Sequence, residues 1–379
     1  MFRLYATIAL LHLYVAARLI PDLLPMSALA AAALFVWLLA STVLIPFAFN
    51  TRRRGVRRFS LALAWAGLIA MGMFSSLFVL TLLRDVALLC GFTLSRVFLV
   101  EETLRQFRNG SAAAVPLLAG LFTAVGFGNA RRRAQVRSVD IPIANLPAAL
   151  HGFTIAQISD IHIGTTIKGR HLNAIVDAVN ALDADMVAIT GDLVDGSVAE
   201  LSGHTECLSR LSSRHGSFFV TGNHEYYSGV RPWVAEIRRL GLRVLMNEHV
   251  VLQHEGADVV VAGVTDFNAG RFDLAHRSDP AAAIAGAPAD AGVNVLLAHQ
   301  PRSAFAAHTA GYDLQLSGHT HGGQFLPWNF FVRFQQPFTA GLHRLGALWV
   351  YVSRGTGYWG PPKRLGAPSE ITRLTLVPA

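Results

Sequence analysis

Two long stretches without a charged side chain limit what this chain can fold into. They cover residues 23–50 and residues 59–83. At about 1.5 Å per helical residue, each is longer than the roughly 30 Å hydrocarbon core of a bilayer. A helix that is apolar on every side over this length is stable where no face meets water. Both stretches are therefore predicted to span a membrane, and residues 109–130, which are also uncharged, are predicted to form a further span.

Two other apolar segments are interrupted by arginines. Residues 2–20 span only if Arg3 and Arg18 extend toward the bilayer surfaces, and a cleavable signal peptide is the alternative. Residues 86–100 are short and contain Arg96, which favours an interfacial or re-entrant piece over another span. The sequence thus predicts a membrane domain over residues 1–130 with about four transmembrane helices. These helices are expected at residues 2–20, 23–50, 59–83 and 109–130.

Two clusters of arginines predict how these helices are oriented. One cluster follows the second span and the other follows the last: Arg52, Arg53, Arg54, Arg57 and Arg58, and Arg131, Arg132, Arg133 and Arg137. Cytoplasmic loops are enriched in Lys and Arg, and an even number of spans between the clusters lets both lie in the cytoplasm. We therefore expect an integral membrane protein, of the inner membrane in a bacterium, with the region from about residue 140 onward in the cytoplasm.

The charge of the chain is divided unevenly. Residues 1–140 carry 15 Lys and Arg against 5 Asp and Glu, whereas residues 141–379 carry 17 against 19. The sequence pI of about 10.1 therefore reflects the membrane half, and it does not indicate a nucleic-acid partner. Cys90 and Cys207 are too few for a disulfide framework or a thiolate zinc site. Membrane lipids are the expected partners, and the oligomeric state is left open.

The second half has the sequence pattern of a layered α/β domain, because apolar runs alternate with helical stretches and with Gly, Asn and Asp residues that are typical of turns. Residues 131–150 are predicted to be a basic linker and residues 151–379 the catalytic domain. A helix is expected at residues 172–182. Strands are expected at residues 153–158, 186–190, 218–221, 259–264, 293–298, 314–316, 349–352 and 371–376. These are enough strands for two packed sheets.

Acid, amide and imidazole side chains follow several of these strands. After the first, second and third predicted strands come Asp160 with His162, then Asp192, then Asn223. In open α/β sheets, sites form at the carboxyl ends of the strands. Later strands are followed by His299, His319 and His321. Since these are the residue types that hold divalent metals side by side, the sequence predicts a metal-dependent hydrolase.

The sequence suggests more than one role for three residues in or beside these motifs. A lone Asp after a strand often only caps the next turn, but the recurrence of the pattern favours a ligand role for Asp192. Asp195 is predicted to stabilise the loop after Asp192, and support of a neighbouring imidazole is the alternative. His224, next to Asn223, is predicted to face the substrate as an acid or a hydrogen-bond donor.

Together these motifs resemble those of the calcineurin-like metallophosphoesterase superfamily over about residues 150–377. The matching motifs are Asp160-x-His162, Gly191-Asp192-x-x-Asp195, Gly222-Asn223-His224-Glu225, His299 and Gly318-His319-x-His321. The extension Gly322-Gly323-Gln324 and the N-terminal spans resemble the membrane-anchored branch, the transmembrane proteins with a metallophosphoesterase domain.

The resemblance implies a four-layer α/β/β/α sandwich that follows an α-helical transmembrane region. It also implies two divalent metal ions. Asp160, His162 and His321 would hold one ion, Asn223, His299 and His319 the other, and Asp192 would bridge them. In this family, His224 would protonate the leaving oxygen or hold a phosphoryl oxygen. The metal is left open among Mn, Fe, Zn and Mg, because such sites accept all of them.

The function predicted from these features is a membrane-anchored, cytoplasm-facing phosphoesterase that acts on a phosphodiester, pyrophosphate or phosphomonoester, with a lipid substrate favoured. The lipid prediction rests on aromatic residues after the last motif: Phe325, Trp328, Phe330, Phe331, Phe334 and Phe338. They would contact lipid or pack into the core. A second such group contains Tyr358, Trp359, Lys363 and Arg364. The alternatives are a phosphodiesterase or nuclease for soluble substrates and a non-catalytic membrane scaffold.

Overall fold

The structure, a computed structural model, describes residues 2–50, 58–95 and 101–379. The chain divides into a helical unit, Met1–Asn129 with Gly360–Leu365, and a catalytic unit, Ala130–Trp359 with Gly366–Ala379. Arg52, Arg53, Arg54 and Arg57 lie outside the described residues, as do residues 96–100 of the predicted interfacial piece.

Four helices make up most of the helical unit. They are α1 (Phe2–Leu23), α2 (Ala28–Asn50), α3 (Arg58–Ser95) and α4 (Glu101–Arg131). All four are long and apolar enough to cross a membrane. Helix α3 runs without a break to Ser95, so residues 86–95 are its last turns and not a separate interfacial piece. The physical reason is that this stretch contains no proline, and its single glycine, Gly91, costs a helix only about 1 kcal/mol.

A short segment near the end of the chain also belongs to the helical unit. Lys363, 1% exposed, donates from Nζ to the carbonyl oxygen of Gly72 at 2.9 Å and to Oγ of Ser76 at 2.5 Å. The backbone N–H of Arg364 donates to the carbonyl oxygen of Gly126 at 2.8 Å. Lys363 and Arg364 are therefore buried against α3 and α4, and they do not form one surface group with Tyr358 and Trp359.

The catalytic unit contains two six-stranded sheets. The strands are β1 (Gln135–Ile143), β2 (Thr154–Ile158), β3 (Met186–Ile189), β4 (Ser217–Phe219), β5 (Arg243–Val244), β6 (Glu248–His254), β7 (Ala257–Gly263), β8 (Val293–Leu297), β9 (Leu314–Ser317), β10 (Gly341–Leu345), β11 (Leu348–Val352) and β12 (Glu370–Pro378). Their order is β1-β12-β2-β3-β4-β5 in the first sheet and β10-β11-β9-β8-β7-β6 in the second. Strands β2 to β5 are parallel, as are β7, β8, β9 and β11.

Helices cover the outer faces of the sheets. The covering helices are α5 (Gly169–Asn180), α6 (Val198–Thr205), α8 (Val230–Arg239), α9 (Pro280–Ile284) and α10 (Ala304–Thr309). Two further helices, α7 (Asn223–Ser228) and α11 (Trp328–Phe331), lie beyond the carboxyl ends of β4 and β9. One core lies between the first sheet and α5, α6 and α8, another between the second sheet and α9 and α10, and a third between the two sheets. Successive strand residues face opposite sides, so Ile155 belongs to the core between the sheets and Ala156 to the helix-facing core. This is the α/β/β/α sandwich predicted from the family.

The predicted strands of this unit are all present, each within two residues at either end. The predicted linker of residues 131–150 is, however, largely ordered, because β1 pairs with β12 in parallel along its whole length. Val139, Ile141 and Ile143 alternate with more polar residues and contact the core between the sheets. That period-2 pattern marks a half-buried strand, and the arginines of the segment obscured it.

Candidate metal centre

All seven predicted ligands lie just past the carboxyl ends of strands, and Asn223 is the first residue of α7. Asp160 and His162 follow β2, Asp192 follows β3, Asn223 follows β4, His299 follows β8, and His319 and His321 follow β9. The strands β2, β3 and β4 are adjacent and parallel in one sheet, and β8 and β9 are adjacent and parallel in the other. The two sheets therefore bring these loops together at one edge of the sandwich.

The backbone at this edge has an unusual conformation. Five of the seven residues have positive φ: Asp160 (53°), His162 (55°), Asp192 (53°), His319 (70°) and His321 (51°). Left-handed backbone costs a non-glycine residue about 1–2 kcal/mol, and such residues concentrate at functional sites. The loops are thus shaped to aim side chains inward at some expense of local stability.

These side chains form overlapping groups whose ligand atoms lie within 4.8 Å of one another. The groups are Asp160 with His162 and His321, His162 with Asp192 and His224, and Asp192 with His299 and His319. Asp192 belongs to two of the groups, as a bridging carboxylate would. Asn223 contributes an amide oxygen that is buried and accepts no hydrogen bond from any residue in the described part of the chain.

The spacing of the donor atoms fits metal coordination. Nε2 of His162 lies 3.1 Å from Nε2 of His321, and Nε2 of His299 lies 3.1 Å from Nδ1 of His319. Oδ2 of Asp192 lies 3.2 Å from Nε2 of His299. Two ligands that are each about 2.1 Å from one ion, at roughly 90–110° to each other, are separated by about 3.0–3.4 Å. The donor set and its spacing therefore suit divalent ions.

Two of the imidazoles are oriented by a hydrogen bond on the nitrogen that faces away from the centre. Nδ1 of His299 lies 2.8 Å from the carbonyl oxygen of Thr190. Since a carbonyl only accepts, Nδ1 carries the proton and Nε2 keeps its lone pair. Nδ1 of His162 lies 3.3 Å from Oδ1 of Asp195. This nitrogen therefore also carries the proton, and Nε2 of His162 keeps its lone pair. Hydrogen bonds of this kind are typical of histidines that bind metals.

Asp195 supports imidazoles, which was the alternative role for this residue. Its Oδ1 hydrogen-bonds Nδ1 of His224 as well as Nδ1 of His162. Burial raises the pKa of Asp195, but the two histidines outweigh it and hold this pKa well below its usual range. Burial also opposes protonation of His224, yet Asp192 and Asp195 raise the pKa of that imidazole to about 9. Bound cations would oppose this rise.

Glu225, the last residue of the Gly222-Asn223-His224-Glu225 motif, is part of the site, although the sequence predicted no role for it. Glu225 is completely buried, and its carboxylate accepts backbone N–H groups of four residues. The donors are Gly222 at 2.7 Å, Leu193 at 2.8 Å, Asp192 at 3.0 Å and Val194 at 3.3 Å. Glu225 thus holds the loop that carries Asp192 against the loop that carries Asn223. The only sequence signal was its place directly after His224.

The aromatic segment after the last motif divides into two groups. Phe325 is buried, and Phe338 packs against the core outside the second sheet. The exposed group consists of Trp328, Phe330, Phe331 and Phe334. The helix that carries three of them touches the metal loop, because a Cβ atom added to Gly323, at φ 78°, would lie 2.1 Å from Cα of Asn329. An exposed aromatic surface therefore begins next to His321.

Comparison with known proteins agrees with this geometry. The calcineurin-like phosphoesterase profile matches residues 153–323. A transmembrane protein with metallophosphoesterase domain from Danio rerio is 36% identical over 294 residues, 76% of this chain and 67% of that protein. The chain belongs to the calcineurin-like metallophosphoesterases. A metallophosphoesterase of Aquifex aeolicus is 32% identical over 244 residues, 64% of this chain and 91% of that protein.

The membership determines the class of chemistry. The protein is a metal-dependent phosphoric ester hydrolase, and the apolar helices together with the transmembrane relatives indicate that this metallophosphoesterase associates with a membrane. The Bos taurus relative is 38% identical over 275 residues, and the alignment covers 70% of this chain. The chain spans 62% of the length of that relative.

Proposed function

We propose that this metallophosphoesterase uses two divalent ions to hydrolyse a phosphoester of a membrane lipid at the cytoplasmic surface of the bilayer. The observation that carries the proposal is the exposed aromatic segment beside the metal loop, in a chain whose described residues include four apolar helices long enough to cross a membrane. Two metal ions, a proton donor and an apolar contact with the substrate would each contribute to this activity.

The ions would be held by seven side chains in two sets. Asp160, His162 and His321 form the first set, Asn223, His299 and His319 form the second, and Asp192 lies in contact with both. When bound, two such ions supply Lewis-acid stabilisation of the phosphoryl charge and activate water. The unpartnered amide oxygen of Asn223 and the spacing of the imidazole nitrogens support this assignment.

His224 would provide the proton for the leaving oxygen. Its Nδ1 is engaged by Asp195, and its Nε2 lies 3.9 Å from Oδ2 of Asp192. The nitrogen that can reach a substrate is therefore Nε2, and Asp195 keeps it directed at the centre. Proton donation by a positioned imidazole contributes about 10²–10⁴-fold to a rate.

The exposed aromatic segment would contact the apolar part of the substrate or the bilayer surface. Phe334 is 75% exposed and Phe330 59% exposed, and such side chains gain about 25 cal/mol for each Å² removed from water. Arg333 lies over the ring of Phe334 at 5.4 Å, so a cation is available near anionic headgroups. Aromatic rings with a nearby cation are typical of segments that lie at a membrane surface.

The cytoplasmic orientation is supported by the positions of the arginines along the chain. Arg84, roughly 39 Å along α3 from its start, pairs with Asp22. Arg108 also pairs with Asp22, at 2.5 Å, and Arg18 pairs with Asp85 at 2.8 Å. These arginines are thus largely compensated by carboxylates. Arg132, Arg133 and Arg137 follow α4 in the sequence, and a cluster of arginines next to a span favours the cytoplasm.

The experiment that tests the proposal compares lipid and soluble substrates with each candidate metal. The full-length protein would be assayed against phosphatidic acid, phosphatidylglycerol and a lipid pyrophosphate in phosphatidylcholine vesicles, and against bis(p-nitrophenyl) phosphate and an oligonucleotide. We expect metal-dependent hydrolysis of a lipid phosphoester. Hydrolysis of soluble esters alone would favour the alternative of a soluble phosphodiester or nucleic-acid substrate.

A variant of the aromatic segment sharpens this test. Replacing Trp328, Phe330 and Phe331 by serine should lower activity in vesicles by about tenfold and spare the soluble ester. The matched control is Phe305→Ser, which changes an aromatic residue of α10 that is 57% exposed. A parallel loss of both activities would show that the three aromatics support the catalytic centre and not lipid contact, and no change would remove the main support for a lipid substrate.

A further inference from the structure

A second group of exposed aromatic side chains surrounds His224. The ring of Tyr227 lies 5.2 Å from the imidazole, and the ring of Trp359 lies 5.8 Å from it. Phe272 extends this surface, because its ring lies 5.6 Å from that of Tyr227. The imidazole that faces the reaction centre therefore has apolar neighbours which neither the metal ligands nor the segment of residues 328–334 supplies.

These rings are exposed although large apolar side chains gain free energy on burial. Tyr227 is 65% exposed, Phe272 51% and Trp359 36%. Asp273, next to Phe272, is paired with Arg231 at 3.0 Å, so its charge is compensated. An exposed apolar surface beside a reaction centre is typical of a binding subsite.

The surface is also held in a defined position. Tyr227 is three residues after His224 on α7, which places both side chains on one face of the helix. The backbone of Trp359 is held twice by Gln324, whose Oε1 accepts from the Trp359 N–H and whose Nε2 donates to the Trp359 carbonyl oxygen, both at 2.9 Å. Gln324 directly follows the loop of His321. The aromatic surface is therefore attached to the same loops as the metal centre.

We propose that Tyr227, Phe272 and Trp359 form the subsite for the leaving group, and that this group is the apolar alcohol of the substrate. The inference rests on the proposed function, because it takes His224 as the proton donor. A proton donor must come within about 2.6–3.2 Å of the leaving oxygen. The first carbon atoms of the leaving group then lie beside the imidazole, close to the rings of Tyr227 and Trp359.

The reaction this predicts breaks the bond between phosphorus and the oxygen of the apolar alcohol. The oxygen of water forms a new bond to phosphorus, and the electron pair of the broken bond stays on the departing oxygen. Nε2 of His224 gives its proton to that oxygen, and the proton lost by water restores the imidazole. The products are a free apolar alcohol and a phosphate that carries the polar remainder of the substrate.

Two isomeric phosphonates test which side of phosphorus is apolar. In para-heptylphenyl methylphosphonate the chain is on the leaving oxygen, whereas in phenyl octylphosphonate it is on phosphorus, where the carbon bond does not hydrolyse. The leaving phenols have similar acidity, so a rate difference reports binding of the chain. We expect the full-length protein, assayed in detergent with the activating metal, to hydrolyse the first isomer with a kcat/KM at least tenfold higher.

Variants connect this preference to the residues. Phe272→Ser should lower kcat/KM for the first isomer by about tenfold and leave that of the second within about twofold, whereas Tyr227→Ser, which removes a ring beside the phenyl group that both isomers share, should lower both and the first more. Tyr227→Phe keeps the ring and should retain the preference, and Phe305→Ser is the control for loss of an exposed aromatic. Because Tyr227 and Phe272 are exposed, these changes should leave the fold intact.

The possible results separate the inference from the proposed function. A preference for the second isomer, or a preference that is unchanged in both serine variants, overturns the leaving-group subsite while the protein remains a phosphoesterase. Absence of metal-dependent hydrolysis of every phosphoester and phosphonate tried contradicts the proposed function and the subsite with it.

Discussion

Oδ1 of Asp195 hydrogen-bonds Nδ1 of His224, so a carboxylate 29 residues away along the chain orients the proposed proton donor. The same oxygen lies 3.3 Å from Nδ1 of His162. One buried carboxylate thus connects a candidate metal ligand with a candidate acid. Changing Asp195 should therefore affect turnover more than changing a residue that only stabilises a loop.

Asp195→Asn should lower turnover by about 10–100-fold, the usual effect of removing a group that orients a metal-site histidine. An amide can present its N–H₂ to one Nδ1 or its oxygen to another, but it cannot accept strongly from both. Turnover and metal content of the purified variant would be measured. Asp177→Asn, which changes an exposed carboxylate of α5, is the control. Wild-type turnover in Asp195→Asn would limit this residue to a loop role.

Asp192→Asn should abolish hydrolysis and leave the fold intact. The change removes the negative oxygen that lets two cations lie close together, since like charges at short distance repel strongly. Its effect should exceed that of Asp195→Asn. Activity, circular dichroism and metal content by mass spectrometry provide the measurement. Full activity with unchanged metal content would contradict the dinuclear centre.

His224→Ala should retain both metal ions and slow turnover by about 10²–10⁴-fold. The loss should be smaller for a nitrophenyl ester, because a good leaving group needs less help from an acid. The metal content of this variant separates two roles, because His224 also groups with His162 and Asp192 in a set that could hold an ion. If the variant loses a metal ion, His224 is a ligand and another residue must donate the proton.

Gly318→Ala should weaken metal binding without unfolding the protein. A Cβ atom at this position would lie 2.2 Å from Oδ2 of Asp160 and 2.0 Å from Oγ of Ser159, so the carboxylate must move. We expect a shift of the metal concentration needed for half-maximal activity by about tenfold or more. Gly203→Ala on α6, where a Cβ atom meets open space, should leave metal dependence unchanged. Equal metal dependence in both variants would show that the Asp160 loop adjusts freely.

The membrane orientation predicts which positions a membrane-impermeant thiol reagent reaches. In a chain with Cys90→Ser and Cys207→Ser, Pro21→Cys should be labelled from outside intact cells, and Gln135→Cys should be labelled only after lysis. A reporter fused after Ala379 should be active if it functions in the cytoplasm. Labelling of Gln135→Cys in intact cells would reverse the proposed topology.

Much of the candidate site could be predicted from the order of residues alone. Asp160, Asp192 and Asn223 each follow an apolar strand, and parallel strands end at the same edge of a sheet. The positions of these residues along the chain therefore imply that they meet in space. The apolar stretches likewise determine four long helices, because helix length and composition are local properties.

Only the tertiary structure could decide which side chains touch within that edge. Asp195 reaches two imidazoles and Glu225 reaches four backbone N–H groups because positive-φ loops bring distant segments together, and such loop conformations have no periodic sequence signal. The sequence likewise does not decide which rings of the aromatic segment are exposed. Phe325 is buried and Phe334 is exposed, although both belong to one run. The sequence by itself determined the four apolar helices, eight of the twelve strands and the places of the candidate ligands after those strands, because these signals are local. The pairing of β1 with β12, the partners of Asp195 and Glu225 and the exposure of each aromatic ring depend on packing between segments far apart in the chain, so only the folded chain decides them.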